Sequence, residues 1–390
     1  MAEIQKSKVG MKKVFMVSTY GDFFLSFEKE NIKLLQKLGY RVVLVANFEE
    51  EKYNQKKSEI NSLNVEIINI LFKRSPLSFK TLINYKRLKK YIKKEKPVMI
   101  DCHLAVVGVL ARISCWNDKS IKVIYSPHGF FFYKGCPIVN SIIYKIVETV
   151  MALKTDALVT INSEDYRNAK KMPLRGKAYC VPGVGVDVVS IMNKKGNSIN
   201  LRNLICANPK DFILVSVGEL SKNKNHIAVI EAMRILKDRG INNIQYVICG
   251  RDDIERSIIE NKVLQYKLEK NFHYLGYRTD IVEINKESDC FILPSFKEGL
   301  SVSIIEAMAC GKPVIASKIR GNVDLIDEGK GGYLFEVSDY NELANCIFKL
   351  IKNKSYIEFG KYNREKCIKY SIENVQSKML KIYKGVLNYE

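Results

Sequence analysis

The stretch FKEGLSVSIIEAMACGKPVIA, residues 296–316, decides the fold predicted for this chain. An apolar run ends at Pro294 just before it, an acidic loop containing Glu298 follows, and a helical segment then leads into another apolar strand at residues 313–316. A helix that starts beside a strand end presents free backbone N–H groups there, and these bind anions well. The stretch therefore predicts an α/β unit with an anion site at the start of its helix.

The same alternation of strands and helices extends outward through the chain in two series. The first series opens with a strand at residues 14–18, a loop, a helix through Leu34, Leu35 and Leu38, and a strand at 41–46, which together form a βαβ unit. The strands are continuously apolar, and this predicts parallel sheets covered on both faces. Further strands are predicted at residues 65–70, 98–102, 122–126, 157–161, 178–181, 212–217, 245–249, 272–275, 290–293 and 332–335, with helices over 225–238, 301–309 and 372–387.

A cluster of proline and glycine at residues 181–187 separates the two series. The chain has 390 residues, which is too long for one ordinary core. We therefore predict an α/β protein of two doubly wound, Rossmann-like domains that face each other across a cleft. The domains are placed at residues 1–187 and 188–371, and a last helix within 372–390 could pack back on the first domain.

The strong positive charge of the chain indicates anionic partners. The sequence has 63 Lys and Arg against 42 Asp and Glu, a net charge of +21, which attracts nucleic acid, anionic lipid headgroups or diphosphate-bearing substrates. Residues 73–96 hold ten basic residues and one acid, and they predict a helix that either covers a sheet or lies on an anionic membrane surface. The apolar stripe of this helix is expected at Phe79, Leu82, Leu88, Tyr91 and Ile92.

Nucleic acid is not an expected partner, because no RNA-recognition signature, zinc-finger spacing or basic zipper accompanies the charge. The 10 cysteines are scattered without a C-x-x-C pair, which argues against a zinc site or a disulfide framework and for reduced cytosolic thiols. Glycine and acidic residues interrupt the apolar stretch at residues 14–27, and charged residues interrupt the one at 138–161, so neither is expected to be a signal peptide or a spanning helix. A cytoplasmic location is expected, with attachment to the inner membrane face left open.

Two histidines follow neighbouring predicted strands of the N-terminal half. Asp101-Cys-His103 ends one strand, and Ser126-Pro-His128 ends the next. Parallel sheets bind ligands at the carboxyl ends of their strands, so both imidazoles are expected to face the cleft. A single histidine here would more often be structural, but two of the four in the chain at such positions favour a functional role.

Residues 296–316 resemble the E-x7-E motif of the retaining family 4 glycosyltransferases, which have the GT-B fold of two Rossmann domains. The resemblance implies that Glu298 contacts the donor sugar and that Glu306 contacts the ribose of the nucleotide. It also implies that backbone amides near the helix start bind the donor diphosphate, and these belong to Gly299, Leu300, Ser301, Val302 and Ser303.

A second block, GELSKNKNH at residues 218–226, is similar to the G-R-L-x-x-x-K-G phosphate loop of the same family. By this resemblance Gly218 lies at the donor, and Lys224 is the lysine that neutralises the diphosphate. The sequence departs from the family pattern at two positions. Glu219 stands where the family has arginine, and Asn225 stands where it has glycine.

Other residues are candidates for the donor site by the same resemblance. Lys222 or Arg251 could supply the positive charge of the missing arginine. Tyr277 and Arg278 lie in a loop that resembles the one beside the nucleotide base. Gly21 falls where the backbone of the family approaches the donor diphosphate.

The resemblance also assigns the N-terminal domain to the acceptor and the C-terminal domain to the nucleotide-sugar. A family histidine that meets the transferring sugar corresponds to His103, which completes a catalytic set with Glu298 and Lys224. Residues 128–137 and 160–165 look like the branch that builds capsular and exopolysaccharide repeat units. The acceptor is therefore expected to be a saccharide, carried on a lipid diphosphate, and to contact His128, Tyr133 and Lys134.

The activity that the resemblance implies is the retaining transfer of a hexose or N-acetylhexosamine from a nucleotide-sugar, UDP-linked by preference. No Asp-x-Asp motif is present, so no metal is expected, and no cofactor is expected because the nucleotide-sugar is a substrate. Three other interpretations remain open. They are a sugar-nucleotide epimerase or a glycosidic phosphorylase of the same fold, and a basic nucleic-acid-binding protein with a degenerate transferase fold.

Overall fold

The computed structural model describes residues 11–49, 57–73, 79–194, 199–354 and 356–388. These residues form two units. The first runs to Gly185 and resumes at Ile372, and the second is Val186–Ser371. Each unit is a Rossmann-like layer structure built on one parallel sheet.

The first unit is built on a seven-stranded sheet. Its strands are β1 (Lys13–Tyr20), β2 (Arg41–Asn47), β3 (Glu66–Asn69), β4 (Met99–His103), β5 (Lys122–Ser126), β6 (Ala157–Thr160) and β7 (Lys177–Cys180). All neighbouring strands are parallel, in the order β3-β2-β1-β4-β5-β6-β7. The order changes direction between β1 and β4, so ligands are expected beyond the carboxyl ends of these two strands.

Helices cover both faces of this sheet. Those that precede the second unit are α1 (Lys29–Lys37), α2 (Lys57–Ser62), α3 (Phe79–Glu95), α4 (Ala105–Ser114), α5 (Ile138–Ala152) and α6 (Ser163–Ala169). Along β1 the side chains alternate between the two faces: Val14 and Met16 join one core, and Phe15 and Val17 join the other. The continuous apolar strand in the sequence follows from burial on both faces.

A π-helix occupies Phe24–Glu28 between β1 and α1, where the sequence analysis predicted a loop. The prediction of a loop was wrong because the short apolar run after Gly21 has no turn residues and continues into α1. Phe24, Leu25 and Glu28 of this segment are buried. π-Helical turns are rare and are frequently found at functional sites.

The second unit is built on a six-stranded parallel sheet. Its strands are β8 (Phe212–Val217), β9 (Ile244–Cys249), β10 (Phe272–Tyr274), β11 (Cys290–Leu293), β12 (Val314–Ser317) and β13 (Gly332–Phe335), in the order β10-β9-β8-β11-β12-β13. Its helices are α7 (Val188–Asn193), α8 (Leu201–Leu204), α9 (Ile227–Asp238), α10 (Arg256–Gln265), α11 (Ile281–Glu287), α12 (Val302–Ala309), α13 (Asn322–Leu325), α14 (Tyr340–Asn353) and α15 (Tyr356–Cys367). The predicted strands of both series are confirmed to within about two residues at their ends, a usual uncertainty for element boundaries.

The last helix, α16 (Ile372–Leu387), belongs to the first unit. It packs against α1 and buries Val375, Met379, Ile382 and Tyr383 in the core cluster that also contains Val14 of β1. A segment far along the chain thus completes one face of the N-terminal sheet.

The basic helix predicted within residues 73–96 is α3, and residues 74–78 lie outside the described part of the chain. Leu88 and Ile92 are buried in the core on the sheet, but Leu82 is 49% exposed, so the predicted stripe was wrong at this position. Asn84 is buried on this helix instead of Leu82, because its side-chain amide donates to the carbonyl of Leu71 at 2.7 Å. Within the described residues, no helix combines the length and the apolar character needed to cross a membrane.

Candidate active site

Two loops of the second unit are joined side by side at the carboxyl edge of its sheet. One follows β8 at residues 218–226, and the other follows β11 at residues 294–300. The backbone N–H of Phe296 donates to the Asn223 carbonyl at 2.8 Å, and the Asn223 side chain donates to the Lys297 carbonyl at 3.0 Å. The phosphate loop and the E-x7-E segment predicted from the sequence therefore form one structure.

This joining brings Lys224 and Glu298 together. The Nζ of Lys224 donates to Oε1 of Glu298 at 2.8 Å, and both side chains are mostly shielded from solvent. The lysine passes close over Gly218, where a Cβ atom would lie 3.0 Å from the Lys224 side chain. Two of the three predicted catalytic residues are thus in direct contact.

Asn225 performs the backbone role of the glycine that the family has at this position. Its φ is +54° and its ψ +38°, a left-handed conformation that asparagine tolerates better than most residues. Its side-chain amide also donates to the carbonyl of Pro294 at 3.1 Å. The departure from the family pattern therefore keeps the turn and adds a hydrogen bond between the two loops.

Helix α12 begins at the edge formed by these loops. Ser301 is its N-cap, and its hydroxyl accepts from the backbone N–H of Ile304 at 3.4 Å and contacts the hydroxyl of Ser303 at 3.0 Å. Glu306 lies one turn further along, and burial raises the pKa of its carboxyl to about 7. Gly299, Leu300 and Val302 lead into or begin this helix, so the predicted diphosphate segment is a helix N-terminus.

The remaining candidates of the second unit have different surroundings. Lys222 is exposed within the loop after β8. The guanidinium of Arg251 lies over the Tyr277 ring, 5.2 Å from its centroid, and Tyr277 is itself 65% exposed. Arg278 forms an ion pair with Asp280, with its Nε donating to Oδ1 at 2.8 Å. Arg278 therefore has a local carboxylate partner in this structure.

Arg320 is a cation of this region that the sequence analysis missed. It is buried, and its Nε donates to the backbone carbonyl of Glu298 at 3.3 Å. Its neighbour Gly321 packs so closely on Gly299 that a Cβ atom would lie 2.4 Å from the Gly299 carbonyl oxygen. Arg320 supports the loop that carries Glu298. Its position just after a predicted strand, β12, is the feature of the sequence that could have indicated it.

In the first unit, the two predicted histidines meet at the ends of β4 and β5. Nδ1 of His103 and Nε2 of His128 are 3.2 Å apart, so only one of these nitrogens carries the hydrogen. Oε1 of Glu28 lies 3.5 Å from Nδ1 of His103 and 3.6 Å from Nε2 of His128. The end of the π-helix thus adds a carboxyl group to the pair, and its sequence carried no motif that could have indicated this.

Two side chains of α16 donate hydrogen bonds to residues that contact this cluster. The Tyr383 hydroxyl donates to Oδ2 of Asp101 at 2.6 Å, and Oδ1 of Asp101 lies 3.5 Å from Nε2 of His103. Gln376 donates to Asn31 at 2.9 Å, and Asn31 donates to Oε2 of Glu28 at 2.7 Å. Neither residue of α16 was predicted, since about 280 residues separate Tyr383 from its partner.

The backbone next to both histidines is strained. His128 has a φ of +55°, and Leu104, directly after His103, has φ +67° and ψ 152°, a region occupied almost only by glycine. At the end of β1, Gly21 is buried where a Cβ atom would lie 2.3 Å from the Phe48 ring. Such strain persists where surrounding structure holds a functional conformation.

Burial sets the protonation of the cluster. It raises the pKa of Glu28 well above its usual value, with a contribution from nearby Asp101, and it raises the pKa of Asp101 to about 7. It lowers the pKa of His103 well below its usual value and the pKa of His128 to about 4. Near neutral pH the two imidazoles are therefore uncharged, and burial favours the protonated form of the Glu28 carboxyl.

The same three side chains are a group that could bind a metal ion. Glu28, His103 and His128 present one carboxyl oxygen and two ring nitrogens within 4.8 Å of one another. Two histidines and a carboxylate suit transition metals. Nδ1 of His103 and Nε2 of His128 also contact each other, and Asn31 donates to Oε2 of Glu28, the carboxyl oxygen that does not face the histidines.

The loop after β5 carries the other predicted acceptor residues. Phe130 and Phe132 are buried and stacked with ring centroids 4.6 Å apart, and they anchor the loop to the unit. Tyr133 is half-buried and Lys134 is exposed at its outer part. The loop thus presents a hydroxyl and an ammonium group beyond the histidine cluster.

Replacing Tyr383 with phenylalanine is expected to lower the free energy of unfolding of the first unit by about 1–3 kcal/mol, because Asp101 would lose its buried donor. Denaturant unfolding followed by fluorescence of Trp116 measures this, since Trp116 is the only tryptophan of the chain and lies in the first unit. Tyr85→Phe is the matched control and should change stability by less than about 0.5 kcal/mol. Equal losses in both variants would contradict a supporting role for α16.

Known proteins resemble this chain in both of its units. The family profile described as "Glycosyl transferase 4-like" matches residues 13–162, and the one described as "Glycosyl transferases group 1" matches residues 200–373. "Putative glycosyltransferase EpsD" of Bacillus subtilis (strain 168) is 30% identical over 97% of this chain and 98% of its own length. The Escherichia coli "UDP-Gal:alpha-D-GlcNAc-diphosphoundecaprenol alpha-1,3-galactosyltransferase" is 29% identical over 72% of this chain and 73% of its own. A glycosyltransferase named for capsular polysaccharide biosynthesis is also among the matches.

Solved structures show the same fold. Anabaena Alr3699/HepE in complex with UDP and glucose superposes with a TM-score of 0.76 at 16% identity, over 96% of this chain and 100% of that chain. The two Rossmann-like parallel sheets have the GT-B fold. The chain belongs to the family 4 glycosyltransferases, and its relatives include enzymes of polysaccharide synthesis.

Proposed function

We propose that the chain transfers a hexose or N-acetylhexosamine from a UDP-sugar to a saccharide on a lipid diphosphate, with retention of anomeric configuration and without a metal ion. The product would serve cell-surface polysaccharide synthesis at the cytoplasmic face of a membrane. The observation that carries the proposal is the contact of Lys224 with Glu298 beside the N-terminus of α12. These groups supply a cation, a sugar-binding carboxylate and free amides in one place.

The chemistry of the donor half follows from these groups. Departure of UDP breaks the bond between the anomeric carbon and the diphosphate, and negative charge grows on the leaving phosphate. Lys224 and the amides at the start of α12 can stabilise that charge, which is the task a metal performs in other enzymes. A UDP donor is supported by the name of the Escherichia coli relative and by the UDP complex of Anabaena HepE.

Retention is explained by attack from the face that UDP leaves. The acceptor oxygen bonds to the anomeric carbon, and its proton passes to the departing phosphate oxygen, so no protein base is required. The uncharged imidazoles of His103 and His128 are suited to hydrogen bonding with sugar hydroxyls. We assign His103 to positioning of the transferring sugar and His128, Tyr133 and Lys134 to the acceptor.

A donor screen tests the proposal. The protein is incubated with UDP-, GDP-, ADP- and dTDP-sugars in the presence of EDTA, with nucleotide release and thermal stability as readouts and Glu306→Ala as the reference variant. We expect one UDP-sugar to raise the melting temperature and to release UDP slowly, and both effects to vanish in the variant. NMR of the transfer product should show the anomeric configuration of the donor.

Two outcomes would contradict parts of the proposal. Loss of activity in EDTA and its return with a divalent transition metal would overturn metal independence and direct attention to Glu28, His103 and His128. Epimerisation of the donor without any acceptor would favour the epimerase interpretation instead of transfer.

Donor affinity is expected to rise with pH between 6 and 8. The Glu306 carboxyl has a pKa of about 7 without donor, and its ionised form accepts better from ribose hydroxyls. If only that form binds, the dissociation constant should fall about tenfold across this interval. Calorimetric titration with a UDP-sugar measures it, since this diphosphate diester does not titrate in the same range. In Glu306→Gln the binding should be weaker and independent of pH, and an unchanged slope would contradict the assignment.

A further inference from the structure

Helix α5 carries its apolar side chains on the outside of the first unit. The exposed residues of its outer face are 45–77% accessible, and they are Ile138, Val139, Ile142, Ile143, Ile146 and Val150. At 3.6 residues per turn they fall within an arc of roughly 140° on the helix. Exposed apolar stripes of this kind usually mark an interaction surface.

The inner face of α5 carries a buried glutamate beside Met151 and Ala152, and the contacts of this glutamate determine which face of the helix points outward. Glu148 is buried, where it accepts from Nη2 of Arg112 at 2.9 Å and from the Tyr125 hydroxyl at 2.6 Å. The Arg112 guanidinium also lies 3.7 Å from the centroid of the Tyr125 ring. Rotation of the helix would break a buried ion pair, which is strongly destabilising. The outward stripe is therefore built into the unit.

The stripe adjoins a basic surface with one aromatic residue in it. Leu153, directly after α5, is 54% exposed and lines a hollow together with Trp116 and four basic residues, Lys119, Lys122, Lys154 and Arg175. Among the described residues, Asp156, which accepts from Arg175, is the one acid of this hollow. A second hollow that also includes Trp116 is lined by three lysines of the α3 region and by Asp118. These lysines are Lys89, Lys93 and Lys96.

An anionic membrane surface matches both parts of this face. A helix with an apolar stripe and a cationic border lies in the interface between headgroups and acyl chains, and tryptophan is enriched at that depth. Each lysine near such a surface adds electrostatic attraction.

The position of α5 connects this face to the acceptor loop. The helix begins at Ile138, only four residues after Lys134, in the loop that starts from the histidine cluster. With the stripe lying in the interface, Tyr133 and Lys134 would be held at the level of lipid headgroups. A diphosphate attached to a membrane lipid lies at that same level.

We propose that the outer face of α5, with Trp116 and its surrounding lysines, docks the protein on an anionic lipid bilayer and so presents lipid-linked acceptor to the first unit. This face is called the α5 docking face. The inference rests on the lipid-linked acceptor of the proposed function and deepens it. It also places the apolar contact on α5, whereas sequence analysis had considered the basic segment 73–96 alone.

Vesicle binding tests the docking face. The protein is sedimented with vesicles of phosphatidylcholine containing phosphatidylglycerol, and with pure phosphatidylcholine vesicles, while Trp116 emission is recorded. We expect binding to the anionic vesicles with a blue shift, and weaker binding at high salt. Ile142→Ser/Ile146→Ser should lower the partition coefficient at least tenfold. The control Ile254→Ser/Leu264→Ser removes exposed apolar residues of the second unit and should stay within twofold.

Several results would overturn the inference. One is equal vesicle binding by the two double variants. Another is a lipid-free dimer that the Ile142→Ser/Ile146→Ser change converts to monomer, since the face would then join two copies of the chain. Slow donor hydrolysis measured without vesicles separates this inference from the proposed function. The hydrolysis should persist in both double variants. If the wild type binds vesicles but hydrolyses no donor, the docking face stands and the proposed donor site is contradicted.

Discussion

Replacement of Lys224 by methionine is expected to lower kcat/KM by about 10²–10³-fold, because a single preorganised group at the developing charge contributes on this scale. Lys224 is held in place by its 2.8 Å contact with Glu298 and by hydrogen bonds that join its loop to the loop after β11. Donor binding would require the ammonium group to exchange part of this contact for the diphosphate. Methionine keeps the length of the side chain and removes only the charge and the donors.

Steady-state transfer measured with the donor found in the screen checks this expectation. Lys270→Met is the matched control, since it removes one exposed positive charge from the same unit, and it should change kcat/KM by less than about twofold. A Lys224→Met enzyme with near wild-type kcat would show that the lysine is only a structural partner of Glu298. The diphosphate would then depend on α12 and on other cations such as Arg320.

Replacement of His103 by alanine is expected to lower kcat by about 10²-fold while KM for the donor changes little. A misplacement of about 1 Å at the reacting sugar has an effect of this size. His103 is buried between Glu28 and Asp101 and touches His128, so its ring is held on several sides. Because its pKa is low, the ring acts as a neutral hydrogen-bonding group, and kcat should not show a histidine titration between pH 6 and 8.

His273→Ala is the matched control for the loss of an imidazole. His273 lies on β10 and contacts Gln245 at 2.9 Å, and its removal should leave kcat within about threefold of wild type. The Trp116 emission of His103→Ala verifies that the first unit is folded. An equal loss of kcat in the two variants, or a large rise in donor KM for His103→Ala alone, would contradict the positioning role.

The arrangement of the loops after β8 and β11 was largely predictable from the sequence because their residues lie close together along the chain. Glu298, Glu306 and the start of α12 lie within one strand-loop-helix segment, where spacing alone determines which groups face the strand end. The sequence located Asn225 at a glycine position of the family pattern, and the structure shows its left-handed conformation. Arg320 was not predicted, since its contact with the Glu298 carbonyl depends on how the loop after β12 packs.

The histidine cluster of the first unit was predictable only in part. The strand-end pattern located His103 and His128 correctly, because neighbouring parallel strands end at the same edge. Glu28 was missed because a π-helix turns it into the cluster. Tyr383 and Gln376 were missed because they come from the far end of the chain.

The membrane hypothesis illustrates the same division. The density of positive charge led to the prediction that segment 73–96 could lie on a membrane. The exposed apolar stripe, however, is on α5. In the sequence α5 looks like an ordinary apolar helix with a few charged residues. Only packing reveals that Glu148 points inward to Arg112 and that the isoleucines point outward.

The sequence alone therefore determined the two parallel sheets, the family and the position of the loops after β8 and β11, because strand periodicity and motif spacing act over short distances along the chain. The tertiary structure decided which buried groups surround His103, where their pKa values lie and which surface remains apolar. These properties depend on desolvation and on contacts between residues distant in sequence, and no local pattern records either.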